Sequence, residues 1–170
     1  WDLDGLKHVI TPEVTAFLGE SVRGVNPGDL YPMDPGIERH VGRKSGAAFT
    51  VAQRLQTKRG EGENRRIVDW MRLAVTGAFF DADGYDNPPS DGRYFFYRPE
   101  HSIARNAINY DYLWNISDST SFLADGNFDT NRGRMTRWNF GLAVRRDPRL
   151  RYYLGLRSIE DLDSTIATIG

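Results

Sequence analysis

Cysteine is absent from this sequence, and no run of 18 apolar residues occurs in it. The first absence excludes disulfides, thiolate metal sites and cysteine nucleophiles, and the second excludes a transmembrane helix. An excess of one charge is also lacking, because 22 basic residues stand against 23 acidic ones and the net charge is −1. Proteins that bind phosphate backbones usually carry a net positive domain, so no nucleic-acid partner is predicted.

Short motifs that carry chemistry are missing as well. The sequence has no G-x-x-x-x-G-K-[ST] phosphate loop and no G-x-S-x-G nucleophile turn. Its three histidines, His8, His40 and His101, are far apart in sequence and form no H-x-x-x-H pair. We therefore predict no catalytic residue and expect that the chain is not an enzyme.

Two-residue alternation of apolar and polar side chains is present almost throughout, in segments of about ten residues separated by turn residues. This pattern is typical of the antiparallel strands of membrane barrels. The predicted strands cover residues 8–20, 47–58, 67–80, 105–116, 120–129, 136–146, 150–159 and a last segment from about 164. The predicted fold class is therefore all-β, an antiparallel up-and-down meander of about eight strands.

The connections between these segments alternate in length. Residues 21–46 and 81–104 form long irregular stretches, whereas the other connections are short. Outer-membrane barrels have short turns on one side of the membrane and longer loops on the other. A zigzag of strands places both long stretches at the same end of the sheet, so the connection lengths agree with the side-chain pattern.

The alternation also sorts strand residues into two rows. One row is apolar and has aromatic rings near the strand ends, as expected for side chains that face lipid and its interfaces. The lipid-facing candidates are Tyr110, Tyr112, Trp114, Phe128, Trp138, Phe140, Leu142, Tyr152 and Leu154. The other row holds charges of both signs, as expected for a wet barrel lumen. The lumen-facing candidates are Arg54, Arg72, Asp111, Asp125, Arg145, Arg151 and Arg157.

An acidic segment in the second long connection is a candidate cation site. Asp81, Asp83 and Asp86 are close in sequence, and hard divalent cations such as Ca²⁺ bind clustered oxygen ligands. Gly84 occupies the fourth position of this segment, whereas an EF-hand requires glycine at the sixth. Aspartate, glycine and asparagine also favour turns, so an ordinary turn is the competing interpretation. No other cofactor is predicted.

Three stretches in a fixed order support a family resemblance. Residues 109–118 read NYDYLWNISD, residues 121–129 read SFLADGNFD, and residues 152–158 read YYLGLRS. An aromatic strand, a short I-S-[DE] turn and a strand that ends in an aromatic residue plus aspartate follow one another here. This order is similar to that in the lipopolysaccharide-assembly outer-membrane protein family, also called the organic-solvent-tolerance family. The resemblance covers about residues 8–158.

The resemblance implies that residues 1–170 are a single segment from the middle of a transmembrane barrel in the bacterial outer membrane. It implies lipopolysaccharide delivery to the outer leaflet, a plug lipoprotein in the lumen and contact with outer-membrane lipids. The polar row would then face the plug or the sugar-phosphate part of lipopolysaccharide, because arginine binds phosphate through a planar fork. Alternatively, this row only holds water and forms cross-strand ion pairs.

The sequence also departs from the family. The family's periplasmic jelly-roll domain is not present, and neither are the cysteines that form disulfides in some members. No lateral-gate residue is carried over. The chain opens at Trp1 without a secretory signal segment, and we expect both of its ends to be excision points inside a longer protein.

Other architectures produce the same alternation. Strands of a soluble β-sandwich also alternate between apolar and polar side chains, which would make the chain a carbohydrate- or protein-binding module. A general porin or a barrel enzyme would share the barrel wall. Charges within the polar rows, aromatic residues near the strand ends and the unbroken meander favour a membrane barrel.

Overall fold

The computed structural model describes residues 3–21, 42–81, 106–147, 149–160 and 163–170. In these residues the chain forms eight β-strands, one short 3-10 turn at Gly62–Asn64 and no α-helix. In chain order, β1 to β8 are Asp4–Ser21, Gly42–Arg59, Arg66–Asp81, Ala107–Asn115, Thr120–Asp129, Arg134–Asp147, Leu150–Ile159 and Ser164–Ile169. A helix long and apolar enough to cross a membrane is not found in this part of the chain.

All eight strands lie in one sheet in chain order, and each pairs antiparallel with its neighbour in sequence. The predicted all-β meander is therefore confirmed, and β5 and β7 have the bounds expected from the alternation. β2 begins earlier than expected, at Gly42 rather than Ala47. The sheet is open, because β1 and β8 occupy its two outer edges and do not pair with each other.

The antiparallel zigzag gives the sheet two distinct ends. The connections after β1 and β3, which are the two long ones, leave the sheet at the same end, which we call the loop end. The connections after β2, β4 and β6 lie at the opposite end, which we call the turn end. Each of these three connections is short.

The strand register gives the sheet two chemically different faces. Residues directly opposite each other in an antiparallel pair have their side chains on the same face. Tyr112 is opposite Leu73 on β3 and Ala124 on β5, and this face is apolar. Asp111 is opposite Asp125 and lies on the other, polar face. The two rows predicted from alternation therefore occupy opposite faces of one sheet.

A β-bulge on β3 keeps Asp69 on the polar face. Leu55 and Gln56 are consecutive on β2, but they pair with Met71 and Asp69, so Trp70 is an extra residue in β3. Strict alternation from Met71 would put Asp69 on the apolar face, and the extra residue reverses that orientation. Gln56 donates a hydrogen bond from Nε2 to Oδ1 of Asp69 at 2.8 Å.

The described residues contain very little hydrophobic core. The buried apolar residues are only Ala107, Ala124 and Ile159. Large apolar side chains are instead exposed, and examples on the apolar face are Val14 at 70 % and Leu154 at 53 %. In this part of the chain no second sheet or helix packs on either face. The structure is thus a single layer with one uncovered apolar surface.

Candidate functional site

The apolar face extends across all eight strands and includes a few polar residues, among them His8, Gln53, Ser158 and Thr165. All nine residues predicted to face lipid lie on it, and their contact with lipid stays a prediction. Its larger members are Ile10, Val14, Phe49, Val51, Leu73, Val75, Tyr110, Tyr112, Trp114, Phe122, Phe128, Trp138, Phe140, Leu142, Tyr152, Leu154, Leu156 and Ile169.

Aromatic rings pack side by side in the middle of this face. The Phe122 ring centroid is 6.3 Å from that of Tyr112, in an edge-on arrangement, and 6.3 Å from that of Phe140, in a stacked one. Trp138 and Phe140 have ring centroids 5.4 Å apart. Such pairs contribute about 0.5–1.5 kcal/mol beyond the area they bury. The cluster therefore holds β4, β5 and β6 together on a surface that no other described residue covers.

The polar face holds all seven residues predicted to face a lumen. Two of them, Arg54 and Arg72, are directly opposite each other on β2 and β3. The carboxylate of Asp69 lies between them, 3.8 Å from Nε of Arg54 and 3.6 Å from Nε of Arg72. A cross-strand pair of like charges is destabilising, and this carboxylate offsets part of the repulsion.

A second polar network joins β4, β5 and β6 nearer the loop end. Asp125 accepts a hydrogen bond from Nδ2 of Asn139 at 2.7 Å and forms an ion pair with Arg137 at 3.1 Å. Asn127 donates from Nδ2 to Oδ1 of Asn109 at 2.6 Å. These side chains are part-buried and bond to one another, whereas the buried Oδ1 of Asn139 has no hydrogen-bond partner among the described residues.

The remaining predicted residues are distributed over the same face. Asp111 is directly opposite Asp125, and Arg157 is opposite Asn139. Arg145 and Arg151 are directly opposite each other at the turn end. The structure therefore brings the seven residues onto one surface but does not gather them into one compact site.

A cluster at the turn end was not predicted from the sequence. Arg59 donates to the carboxylate of Asp118 at 3.0 Å and to the carbonyl of Asn115 at 2.8 Å, and Arg66 forms an ion pair with Asp118 at 3.1 Å. The hydrogen bond from Arg59, together with the charges of Arg66 and Arg59, lowers the pKa of Asp118 below its ordinary value despite partial desolvation. Strand alternation could not reveal this cluster, because Asp118 lies in a turn.

One cleft on the polar side is lined by strands that are far apart in the sheet. Its volume is about 650 Å³, and its lining includes Asp69 on β3, Asn115 on β4, Ala143 on β6 and Tyr153 on β7. The lining also includes Ser121 on β5, so the cleft runs continuously over five neighbouring strands of the polar face.

The candidate cation site lies outside the described residues. Asp81 is the last residue of β3, but its side chain is not described, and Asp83 and Asp86 belong to the connection that follows. Within the described ranges no group of three or more histidine, aspartate or glutamate side chains could hold a metal ion. The acidic segment therefore stays a prediction.

The chain matches no protein-family model, no curated protein and no solved structure. Its function is therefore inferred from its own residues. Two features are available for that purpose: an apolar face that no second layer covers in the described residues, and a polar face with ion pairs and clefts.

Proposed function

We propose that this chain forms part of the wall of a transmembrane β-barrel in the bacterial outer membrane, and that the barrel takes part in lipopolysaccharide assembly. The observation that supports the membrane assignment is the single-layer sheet of the described residues, which has one apolar face and one polar face. This arrangement is the one that a barrel wall requires, since lipid-facing and lumen-facing residues alternate along each strand.

Burial energetics favour a lipid environment for the apolar face. Transferring one large apolar side chain out of water stabilises a protein by about 1.5–3 kcal/mol. Val14, Phe49 and Leu154 are each at least half exposed, and they belong to a surface that continues over eight strands. Continuous exposed apolar surface of this kind marks an interaction or membrane site. Hydrocarbon chains supply the burial that no second protein layer provides in the described residues.

The two open edges of the sheet determine how such a barrel would close. In hydrocarbon each unpaired backbone N–H or C=O costs several kcal/mol, so a membrane sheet has no free edge. β1 and β8 present unpaired edges in the described part of the chain. In the proposed barrel further strands pair with both edges.

The assignment to lipopolysaccharide assembly is supported by the resemblance in residues 109–129 and by the chemistry of the polar face. Arg54, Arg72 and Arg137 present guanidinium groups there, beside amide side chains such as Asn139. These groups suit either the sugar-phosphate part of lipopolysaccharide or the polar surface of a plug lipoprotein. The proposed partners of the polar face are therefore lipopolysaccharide and a plug lipoprotein.

Folding in detergent tests the membrane part. Circular dichroism and the emission of the four tryptophans are recorded in plain buffer and in detergent micelles. We expect β-structure and blue-shifted emission only in micelles, because the apolar face then has a cover. Cooperative folding of a monomer in plain buffer would contradict the proposal and favour a β-sandwich binding module.

Site-specific photocrosslinking in a Gram-negative bacterium that produces the protein tests the lipopolysaccharide part. A photoreactive amino acid at Asn139 probes the polar face, and one at Leu142 on the same strand probes the apolar face. We expect lipopolysaccharide adducts from position 139, because transported molecules pass the polar face. Adducts from position 142 alone indicate ordinary contact with the outer leaflet and contradict a role in transport.

A further inference from the structure

Two cross-strand arginine pairs of the polar face differ, because only one of them has a carboxylate beside it. A further pair, Arg59 opposite Arg66, shares the carboxylate of Asp118. Arg54 and Arg72 share the carboxylate of Asp69. Arg145 and Arg151 are also directly opposite each other and are exposed, yet neither forms an ion pair with a carboxylate of the described residues. Like charges directly opposite each other are destabilising. The second pair therefore has the arrangement of the first without its anion.

The two acidic side chains that line the cleft beside this second pair are already engaged. Arg145 and Arg151 line the cleft of about 650 Å³ together with Asp69 and Asp118. Asp69 is held by the other arginine pair, and Asp118 is held by Arg59 and Arg66. Neither of these two side-chain carboxylates forms an ion pair with Arg145 or Arg151.

Small and hydroxylated residues leave room beside the two arginines. Ser119 is adjacent to Arg145, whose backbone N–H donates to the carbonyl of Ser119 at 2.6 Å. Ala143 forms part of the cleft floor, and Ser117 contributes a further hydroxyl. Tyr153 forms one wall; a Cβ at Gly141 would lie 2.8 Å from its hydroxyl, so the ring rests against that backbone.

We propose that this cleft binds a phosphate group, with Arg145 and Arg151 as its two principal ligands and one hydroxyl of the hydrogen-bonded pair Ser117 and Ser119 as an additional donor. Two guanidinium groups match the charge of a phosphate monoester, and each donates hydrogen bonds through a planar fork. The bound phosphate lies between Arg145 and Arg151, just as the carboxylate of Asp69 lies between Arg54 and Arg72. The site rests on the polar face alone and does not depend on the membrane assignment.

The test measures ³¹P chemical shifts with the whole chain in dodecyl maltoside micelles. One probe is inorganic pyrophosphate, and the other is phosphatidic acid incorporated into the micelles, with phosphatidylcholine as the neutral reference. We expect saturable shifts that weaken as salt rises, because charges on the cleft rim are screened. A response to pyrophosphate alone identifies a soluble phosphorylated ligand, and a response to phosphatidic acid identifies a lipid headgroup. No saturable response to either probe would overturn the proposal.

Two double variants in the same turn separate a defined site from general attraction. Arg145→Gln/Arg151→Gln removes the opposed pair, and Arg146→Gln/Arg149→Gln removes the same charge from neighbouring exposed positions. We expect the first to raise Kd about tenfold or more and the second to change it about twofold at most. Equal losses in both would show diffuse attraction and overturn the site. Circular dichroism of each variant verifies that the sheet is intact.

A third variant places the missing carboxylate inside the protein. Ser119→Asp puts an acidic side chain next to Arg145, in the role that Asp69 has for the other pair. We expect phosphate binding to be lost while the urea midpoint stays the same or rises. Unchanged phosphate binding in Ser119→Asp would contradict the placement of the anion between the two arginines.

Discussion

At the scale of single residues, the turn end of the sheet depends on a few side chains and backbone angles. Arg59 joins the end of β2 to Asn115 and Asp118 in the next turn-end connection, although these residues are more than fifty positions away in sequence. Gly60 follows Arg59 with a positive φ of 90°. Both residues lie where β2 ends, at the turn end of the sheet. Changes at Gly60 and at Asp118, the partner of Arg59, are therefore expected to alter stability.

Replacing Gly60 in the β2–β3 turn is expected to destabilise the protein more than replacing Gly62, which lies two residues further along the same turn. Both have positive φ, but a Cβ at Gly60 would lie 2.5 Å from the backbone oxygen of Asn64, whereas a Cβ at Gly62 has open space. We expect Gly62→Ala to cost roughly 1–2 kcal/mol from the left-handed backbone alone. Gly60→Ala should cost clearly more, because the backbone must also move. Urea midpoints in micelles compare the two, and equal midpoints would contradict this account.

Asp118 is expected to make the turn end acid-sensitive. The hydrogen bond from Arg59 and the charge of Arg66 lower its folded-state pKa below the ordinary 3.8. A lowered pKa means that the stabilisation is fully present above about pH 3.8 and is lost as the pH falls through the folded-state value. Its side chain is 57 % exposed, so solvent screening keeps the effect small.

The corresponding measurement compares urea midpoints of the parent and Asp118→Asn across this range of pH. We expect the parent to be more stable at neutral pH and the difference to disappear at pH values below the folded-state pKa. A difference that stays constant through acid pH would show that the carboxylate charge is not involved.

At the scale of whole strands, register decides which face a side chain occupies, and bulges adjust it. Arg54 and Arg72 enclose Asp69 only because Trp70 is an extra residue in β3. A second bulge, on β6, leaves Thr136 as an extra residue, and its hydroxyl donates to Oδ1 of Asn127 at 2.5 Å. Bulges therefore position polar groups that simple alternation would displace.

Deleting Trp70 is expected to be tolerated better than deleting Leu73 from the same strand. Removal of the bulge residue leaves Asp69 next to Met71, so both keep their present faces and partners. Removal of Leu73 shifts one part of β3 by one residue, which moves its apolar side chains to the opposite face. The folded fraction in micelles by circular dichroism distinguishes the two deletions. A larger loss for the Trp70 deletion would contradict the bulge assignment.

At the scale of the whole molecule, the sheet has one apolar and one polar surface, and the described residues enclose almost no hydrophobic core. The apolar face includes Leu142 and Leu154, which are directly opposite each other. The polar face includes Leu123, which is 39 % exposed and opposite Gly141. The same residue type on both faces offers a matched test of which face contacts lipid.

Leu142→Arg is expected to disrupt assembly, and Leu123→Arg is the matched control. An arginine on the lipid face costs roughly 2–4 kcal/mol near the bilayer midplane, whereas lumen substitutions are mild. The folded fraction in lipid vesicles after refolding, measured by circular dichroism, compares the two variants. Equal losses would contradict the assignment of the faces, and a larger loss for Leu123→Arg would reverse it.

The sequence by itself determined the strands and the composition of the two faces. Apolar and polar residues alternate with the period of a strand. This alternation is a local property and does not depend on which strands pair with each other. It placed Tyr112 and Leu142 in one row and Asp125 and Arg145 in the other, and the sheet keeps those rows apart.

Only the tertiary structure decided which residues in a row meet. The bulge at Trp70, the cluster of Arg59 with Asp118 and the cleft beside Arg145 all depend on register between strands that are distant in sequence. Local alternation cannot specify such pairings, because a shift of two residues preserves every face while changing every partner. For the same reason, only the structure shows that one arginine pair has a carboxylate and that Arg145 and Arg151 do not.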